Sequence, residues 1–305
     1  MTDFSVLLPV YIGDNPAHFE RSLQSVAADQ TRPPSEVLVV CDGPVDPAIN
    51  QLLEECSRGK RPDIMGDVSL RILRLPTNQG LIPALNSGLE ACLYDIVARA
   101  DADDISLPER FAEQIPIIEA GIDLVGSAIA EFEDDENTIG LVRTMPLTAK
   151  EICDVLPLRD PFNHPSVVYR RSAVAKVGGY EDVDFMEDYW LFARMVQAGI
   201  PCANHPSALV LYRVGDGAYD RRGGLRMLRA ELTLQRLFFE AGITTWATSG
   251  RNLALRGGYR LVPSDVRRLA YTTVGRLGWF AQRKNEGGAA TSKTLKKPKS
   301  DPQLR

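Results

Sequence analysis

The sequence lacks the features that would place it in a membrane or in an oxidising compartment. It contains no run of about 18 consecutive apolar residues, so we expect no membrane span. Its first residues, MTDFSVLLPV, include Asp3 and no basic residue, which is unlike a secretory signal peptide. The 5 cysteines stand singly, without a C-x-x-C pair, and predict neither a disulfide framework nor a zinc ribbon. We therefore expect a cytoplasmic protein.

Several common functional motifs are also missing. The sequence has no G-x-x-x-x-G-K-[ST], no H-E-x-x-H, no G-x-S-x-G and no G-x-G-x-x-G after the first strand. The usual signatures of phosphate-cradling loops, zinc proteases, hydrolases and dinucleotide-binding domains are thus absent. The formal net charge of -5 gives no overall basic field, which argues against nucleic acid as the main partner.

Alternating strand and helix patterns fill the first 130 residues. Apolar, β-branched runs predict strands at 4–10, 36–41, 69–75 and 95–100, and helical periodicity predicts helices at 15–28, 46–57 and 81–92. A helix to about residue 120 and a strand near 123–130 follow, and the acidic segment 131–137 (EFEDDEN) is predicted to be a solvated hairpin turn. This alternation predicts an α/β fold with parallel strands that end at one edge of the sheet.

The pattern changes near residue 223. Leucines recur at helix-compatible spacing between residues 225 and 237, and Pro263-Ser264-Asp265 begins a second helical segment that ends near residue 283. We predict a C-terminal helical extension over 223–284 and a disordered, basic tail over 285–305. Arginines beside aromatic residues in the extension indicate either a membrane-surface face or a helical cap with solvated arginines.

Three aspartates stand directly after the fourth predicted strand: Asp101, Asp103 and Asp104. The S-x-x-E pattern from Ser106 to Glu109 predicts a capping box for the next helix, which leaves the aspartates without a structural task. Ligands of open parallel sheets bind beyond the carboxyl ends of the strands. Mg²⁺ and Mn²⁺ prefer oxygen ligands and commonly use one or two carboxylates together with substrate phosphates. From these residues alone, the segment is either an acidic turn or half of a metal site.

Four segments together resemble glycosyltransferases of family 2, of the bacterial exopolysaccharide and cell-wall type: LLPVY, VVCDG, TNQGLIPALNSGL and DADD followed by LPERF. The resemblance spans roughly residues 4–195. It implies the GT-A fold over residues 1–222, a mixed, largely parallel sheet flanked by helices, with a nucleotide-sugar half (1–110) and an acceptor half (111–222). It also implies a nucleotide-diphosphate sugar donor, a divalent metal (Mn²⁺ or Mg²⁺), and a glycan or polyprenol-linked acceptor. A polyprenol-linked acceptor would bring the protein to the inner face of the plasma membrane.

The resemblance further assigns site residues by position. The nucleotide-binding candidates are Pro9, Tyr11, Asp42, Asn78, Gly80 and Asp101, with Asp42 expected to accept a hydrogen bond from the base. The metal candidates are Asp103, Asp101 and Asp104, and which of them ligates the metal directly stays open. Arg110 is either a contact near the donor that orients an aspartate or a solvated helix arginine. The sequence departs from the family pattern at Cys41, where many relatives carry an aspartate.

A second acidic pair, Glu187-Asp188, begins a predicted helix in the acceptor half. Acids at a helix N-terminus are favoured by the helix dipole, so the pair alone does not indicate catalysis. The resemblance assigns Asp188 as the general base of an inverting transfer and Glu187 as its neighbour or an acceptor ligand. His164 is either a contact to diphosphate or acceptor or a structurally hydrogen-bonded histidine. The Q-x-x-R-W pattern of processive relatives is absent, so we expect transfer of a single sugar.

Two other functions remain open at this stage. The first is a degenerate module that binds a nucleotide sugar without turnover. The second is a sugar-phosphate nucleotidyltransferase, which would need a glycine-rich loop with basic residues after the first strand. Residues 11–16 contain no basic side chain, which disfavours the second alternative.

Overall fold

The computed structural model describes residues 2–215 and 225–257. All of them fall within the first of the chain's two units, Met1–Val262. The helical segment predicted from Pro263 and the predicted tail over 285–305 lie outside the described residues. Within the described part, no helix is long and apolar enough to cross a membrane.

Four parallel strands form the first half of the sheet, in the order β3, β2, β1, β4. They are β1 (Ser5–Val10), β2 (Glu36–Cys41), β3 (Ser69–Arg74) and β4 (Ile96–Arg99). Every residue of β1, β2 and β4 is buried, as expected for parallel strands covered by helices on both faces. The prediction of a parallel α/β sheet is therefore confirmed for this half.

The connecting helices cover both faces of these strands. They are α1 (Pro16–Val26), α2 (Pro47–Ser57), the short α3 (Pro62–Met65) and α4 (Leu81–Ala91). Successive residues of a strand point to opposite faces, so Val6 and Leu8 pack in the core under α1 and α2, whereas Leu7 packs under α4. Asn15 and Asp46 cap α1 and α2 by accepting hydrogen bonds from backbone amides of the first turn.

The second half completes a mixed sheet of nine strands. β8 runs antiparallel to both β4 and β6, β9 runs parallel to β6, and β5 pairs antiparallel with β9. β7 pairs antiparallel with β6, so the predicted hairpin is confirmed, but Glu131 and Phe132 are buried in β6 and the solvated turn begins after them. The elements are β5 (Ile105–Ser106), α5 (Arg110–Glu119), β6 (Leu124–Phe132), β7 (Val142–Arg143), α6 (Ala149–Val155), a 3-10 turn (His164–Ser166), β8 (Val168–Arg170), α7 (Arg171–Lys176), α8 (Glu187–Gln197) and β9 (Cys202–Arg213).

The predicted capping box at Ser106 and Glu109 is wrong. Ser106 lies in β5, where the chain pairs with β9, and α5 begins at Arg110 without a side-chain cap. The Glu109 carboxylate instead accepts a hydrogen bond from Thr31 Oγ1 at 2.9 Å. Pairing with a strand more than 100 positions away has overridden the local capping signal, because the chain after the aspartates must rejoin the sheet.

Two further helices, α9 (Leu225–Glu240) and α10 (Trp246–Asn252), follow residue 224 and lead into a π-helical turn, Leu253–Gly257. The helical character predicted from residue 223 is thus confirmed over the described residues. Met227, Leu234 and Phe238 of α9 share a core with Tyr189 and Trp190 of α8. The face of α8 that carries Tyr189 and Trp190 is therefore covered by α9, whereas Leu191 and Phe192 pack in the core beside the sheet.

Candidate active site

A cavity of ≈ 330 Å³ lies at the carboxyl ends of β1 and β2, beside the start of α4. This is the edge at which open α/β sheets bind ligands. The structure brings seven of the residues assigned from sequence into its lining: Pro9, Tyr11, Asp42, Asn78, Gly80, Asp101 and Asp103. Asp14, which the sequence analysis did not single out, lines the same cavity.

Asp42 holds the loop that carries Asn78 and Gly80. Its two carboxylate oxygens accept hydrogen bonds from the backbone amides of Gln79 (2.7 Å) and Gly80 (2.8 Å). Each oxygen keeps a second lone pair, so a contact to a nucleotide base remains available beside this structural one. Asp42 therefore shapes the wall of the cavity before it contacts any ligand.

Two glycines allow this loop its close approach. Gly43 has a φ of +79°, and a Cβ placed there would lie 2.4 Å from the backbone nitrogen of Asn78. Gly80 has a φ of +92°, with open space around it. Side chains are disfavoured at both positions because L-residues rarely adopt positive φ. The sequence signal for Gly43 was the Asp-Gly dipeptide, which is also common in ordinary turns.

The carboxylates of Asp14, Asp101 and Asp103, here called the turn cluster, crowd one side of the cavity. Burial, together with the charges of Asp103 and Asp101, raises the pKa of Asp14 to about 6 against a backbone hydrogen bond from Tyr11. Burial and then the charge of Asp101 likewise raise the pKa of Asp103. Such mutual repulsion favours binding of a cation.

Arg99 supplies the internal cation of the turn cluster and was missed by the sequence analysis. Its side chain is 3% exposed and forms an ion pair with Asp101. In the sequence it reads as part of the apolar strand VARA. The signal that could have identified it is the charge itself, because a fully buried arginine requires a partner.

Asp104 faces away from the cavity and contacts the second half of the chain. Its Oδ1 accepts a hydrogen bond from the backbone amide of Arg213 at 2.9 Å. Within the described residues its Oδ2 has no hydrogen-bond partner. Burial, followed by the charges of Asp101 and Asp103, raises the pKa of Asp104 well above its ordinary value. Asp101 and Asp103 are therefore better placed than Asp104 to meet a ligand.

The alternatives considered for Arg110, a contact near the donor or a solvated helix arginine, are both wrong. The side chain is fully buried, with 0% exposure. Its guanidinium donates hydrogen bonds to Ser106 Oγ (2.9 Å) and to the carbonyl oxygen of Arg99 (2.6 Å). A weaker bond at 3.4 Å reaches the carbonyl oxygen of Val167. Arg110 thus fastens β4 to the segment after the 3-10 turn, because both leave carbonyl oxygens facing α5.

Glu187 and Asp188, here called the helix cluster, occupy the first turn of α8. Burial raises the pKa of Glu187 to about 7, with the Asp188 charge as the next contribution. Burial also raises the pKa of Asp188, and the positive charge of Arg99 opposes that rise. Asp101 raises the pKa of both carboxyl groups, so the two clusters are close enough to interact electrostatically.

His164 lies behind the helix cluster and is 8% exposed. Its Nδ1 is 3.8 Å from Asp188 Oδ2, and its Nε2 is 2.8 Å from the hydroxyl of Tyr180. Burial lowers the pKa of His164 well below its ordinary value. The side chain therefore has a structural partner and little surface left for a substrate.

The residues of the turn cluster fit a hard divalent cation in part. Among residues 2–215 and 225–257, no group of three His, Cys, Asp or Glu side chains could hold a metal ion without help. Asp101 and Asp103 nevertheless supply carboxylate oxygens whose negative charge is only partly balanced by the positive charge around them. Mg²⁺ and Mn²⁺ sites in nucleotide enzymes commonly combine one or two carboxylates with phosphate oxygens and water. The donor set matches that arrangement.

Comparison with known proteins agrees with this geometry. The sequence profile of Glycosyl transferase family 2 matches residues 5–178. An uncharacterized glycosyltransferase of Haemophilus influenzae is 40% identical over 272 residues, which are 88% of this chain and 98% of the relative. The amylovoran biosynthesis glycosyltransferase AmsE of Erwinia amylovora is 34% identical, over 88% of this chain and 97% of its own.

A third relative has a named reaction. The UDP-Gal:alpha-D-GlcNAc-diphosphoundecaprenol beta-1,3-galactosyltransferase of Escherichia coli is 30% identical, over 89% of this chain and 96% of its own. Among solved structures, S. aureus TarS 1-349 in complex with UDP-GlcNAc superposes with a TM-score of 0.61 at 17% identity, covering 84% of this chain and 71% of that one. A Pyrobaculum calidifontis mannosyltransferase with GDP-Man and Mn²⁺ has a TM-score of 0.56 at 16% identity, covering 92% and 82%. These two structures support the GT-A fold.

Proposed function

This chain belongs to glycosyltransferase family 2, and on that premise we propose that it transfers one hexose from a UDP-sugar to a hydroxyl of a lipid-linked sugar, with inversion at the anomeric carbon. That it is a glycosyltransferase with a GT-A fold follows from the family match and from its named relatives. The donor base, the acceptor, the stereochemistry and the roles of individual residues are the proposed part.

The observation that carries the proposal is that two carboxylate clusters interact electrostatically and that one of them lines a cavity. The turn cluster faces a space of ≈ 330 Å³, which suits part of a nucleotide sugar. Asp188 of the helix cluster interacts electrostatically with Asp101 of the turn cluster and with Arg99. A single displacement needs both elements: a site for the departing diphosphate and a base for the incoming hydroxyl.

On the donor side, Pro9, Tyr11 and Asp42 would contact the nucleoside, and the loop with Asn78 and Gly80 would contact it through its backbone. The side chain of Tyr11 is 47% exposed beside the cavity, so its ring is available to stack on a base. Asp101 and Asp103 would hold the ribose and the metal. A bound Mg²⁺ or Mn²⁺ would neutralise negative charge on the diphosphate as it leaves.

On the acceptor side, Asp188 would act as the general base. It removes the proton of the acceptor hydroxyl while the oxygen attacks the anomeric carbon and the bond to the diphosphate breaks. A raised pKa suits this task because a base works best when its pKa lies near the working pH. Glu187 would bind acceptor hydroxyl groups beside it.

The relatives support a lipid-linked acceptor. The named reaction of the Escherichia coli relative uses a sugar diphosphate on undecaprenol, and AmsE takes part in amylovoran biosynthesis. We place the protein at the inner face of the membrane, with the α9–α10 surface as its contact. There Leu232, Phe239 and Trp246 line an apolar depression, and Trp246 is 80% exposed. Interfacial aromatic residues favour the boundary of a bilayer.

The membrane contact is tested by sedimentation with phosphatidylglycerol vesicles. We expect the full-length protein to sediment with the vesicles and Trp246→Ser to do so less, because the variant loses an exposed aromatic anchor. Leu147→Ser, at an exposed apolar position outside the α9–α10 surface, is the matched control. Equal binding of Trp246→Ser and the parent protein would exclude this surface.

The donor and the metal are tested by a thermal-shift screen of nucleotide sugars with Mn²⁺ or with EDTA. We expect UDP-galactose or UDP-GlcNAc with Mn²⁺ to raise Tm by several degrees, because a ligand that binds only the folded state stabilises it. EDTA should abolish the shift. Transfer would then be measured as UDP release with a synthetic N-acetylglucosaminyl diphosphate lipid. Pyrophosphate release from UTP and a sugar phosphate would instead indicate a nucleotidyltransferase.

A further inference from the structure

A buried chain of polar groups runs behind Asp188. The Nε2 atom of His164 lies 2.8 Å from the hydroxyl of Tyr180, which in turn lies 3.3 Å from the hydroxyl of Tyr169. All three side chains are buried, and none lines the cavity of the turn cluster. The remaining ring nitrogen, Nδ1 of His164, faces Asp188 Oδ2 at 3.8 Å. The other carboxylate oxygen, Oδ1, accepts a hydrogen bond from the backbone amide of Tyr189 at 2.7 Å.

These three polar side chains have one arrangement of protons in which an N–H group faces an ionised Asp188. Burial and the nearby Arg99 charge lower the pKa of His164, so its ring is neutral and carries a single N–H. If Tyr180 donates its proton to Nε2, that N–H is on Nδ1 and points its positive end at the carboxylate. The opposite tautomer would set a lone pair of Nδ1 against a carboxylate oxygen. Tyr169 then donates to Tyr180, and every hydroxyl has a partner.

Tyr180, in the middle of this row of polar groups, and His164, at one end, are anchored by other elements. The backbone amide of Tyr180 donates to Asn86 Oδ1, and its carbonyl oxygen accepts from Asn86 Nδ2, each at 2.9 Å. Asn86 belongs to α4, whose first residues line the donor cavity. His164 sits in the 3-10 turn, where Gln114 donates to the carbonyl oxygen of Ser166 at 2.8 Å. The imidazole therefore has little freedom to rotate, which suits a side chain that orients another group.

We propose that His164, oriented by Tyr180, is a positioning residue that holds the Asp188 carboxylate in the direction from which it takes the proton of the acceptor hydroxyl. The inference rests on the proposed function, in which Asp188 is the base. The 3.8 Å separation is longer than a hydrogen bond, and it closes by rotation of the carboxylate or through one water when substrates are bound. His164 itself contacts neither substrate.

Removing the Nδ1–H donor should raise the pKa of Asp188, because a hydrogen bond to the ionised form favours that form. The acid limb, which is the low-pH part of the pH–rate profile where the rate rises as Asp188 ionises, would then move to higher pH. Other groups also act on Asp188. Glu187 beside it, Arg99 on β4, Asp101 after β4 and Asp160 before the 3-10 turn stay unchanged in all the variants below, whereas the Tyr180 hydroxyl is absent in Tyr180→Phe alone.

The test compares pH profiles of kcat at saturating substrates for the full-length parent protein, Tyr180→Phe, His164→Phe and His164→Asn, measured as UDP release with the lipid acceptor, because kcat reports the pKa values of the substrate-bound enzyme. Tyr180→Phe removes one oxygen and keeps the backbone bonds to Asn86. We expect it and His164→Phe to lower kcat about tenfold and to move the acid limb upward by about half a pH unit. KM for the UDP-sugar should stay unchanged. His164→Asn, whose amide can place an N–H where Nδ1 was, should restore the limb.

Ser166→Ala is the matched control, since Ser166 lies in the same 3-10 turn and its fully buried hydroxyl donates to the carbonyl oxygen of Asn163 at 2.8 Å. It should lower Tm without moving the acid limb. If Tyr180→Phe and His164→Phe also lower only Tm or kcat, and the acid limb of their pH profiles does not move, His164 is structural and the proposal is overturned. An unchanged rate in Asp188→Asn would instead overturn the proposed function itself, so the two failures are distinct.

Discussion

The turn cluster and the helix cluster are both groups of acids beside one site, but their charge is compensated differently. Asp14, Asp101 and Asp103 have Arg99 as an internal cation, and the Asp101 charge adds to burial in raising the pKa of Asp14 and of Asp103. Glu187 and Asp188 lie at a helix N-terminus with His164 behind them. The first cluster has the buried cation Arg99 for three carboxylates, so a bound cation would lower its electrostatic energy, whereas the second has a helix N-terminus and a neutral imidazole beside it and keeps raised pKa values. The proposed metal site and the proposed base site have the same residue types and differ in what surrounds them.

The largest effects should come from substituting one carboxylate in each cluster separately. Asp188→Asn should lower kcat by about a thousandfold, because the amide cannot accept the acceptor proton, while the Kd for the UDP-sugar with Mn²⁺ stays unchanged. Asp103→Asn should do the opposite and raise that Kd about tenfold or more. Steady-state kinetics and calorimetric titration measure the two quantities. If both variants changed kcat and the Kd for the UDP-sugar in the same way, the division into a metal side and a base side would be contradicted.

The second prediction concerns stability against pH at Glu187. Its folded-state pKa of about 7 lies above the ordinary value of 4.5, so folding favours its protonated form. The resulting stability is fully present below pH 4.5 and is lost as the pH rises through about 7. Glu187→Gln should therefore raise the free energy of unfolding at pH 8 by roughly 1–2 kcal/mol, after allowance for partial exposure, and change it little at pH 4.5.

Urea denaturation at the two pH values measures this difference. The exposed Glu90→Gln is the control and should change stability by less than about 0.5 kcal/mol at either pH. A loss of stability in Glu187→Gln at pH 8 would mean that the Glu187 charge is stabilised by its surroundings. The helix cluster would then be more fully compensated than its buried position indicates.

The third prediction distinguishes the wall of the donor cavity from an ordinary turn. Gly43→Ala combines a positive φ with a Cβ 2.4 Å from the Asn78 nitrogen, and should cost about 3 kcal/mol and weaken UDP-sugar binding. Gly59→Ala has a similar φ of +69° in open space and should cost only about 1 kcal/mol, with binding unchanged. Thermal unfolding and titration compare the pair. A comparable loss in both would show that the contact with Asn78 relaxes easily.

Sequence reasoning succeeded where the signal was local. The strand over Glu36–Cys41 and the helix starts at Pro16 and Pro47 follow from apolar runs and capping residues within a few positions. It failed at Ser106 and Glu109, where a strand from the far end of the domain competes for the backbone. It also failed at Arg110, because the open carbonyl oxygens that hold its guanidinium belong to Arg99 and Val167.

By itself the sequence determined the parallel half of the sheet, the positions of the acidic segments and the family resemblance, since each depends on residues close together along the chain. Only the tertiary structure decided which acids share a cavity, which arginine compensates them and which histidine lies behind Asp188. The physical reason is that burial and charge neighbours set what a carboxylate does, and both arise from segments far apart in the sequence, such as those of Arg99 and Asp188.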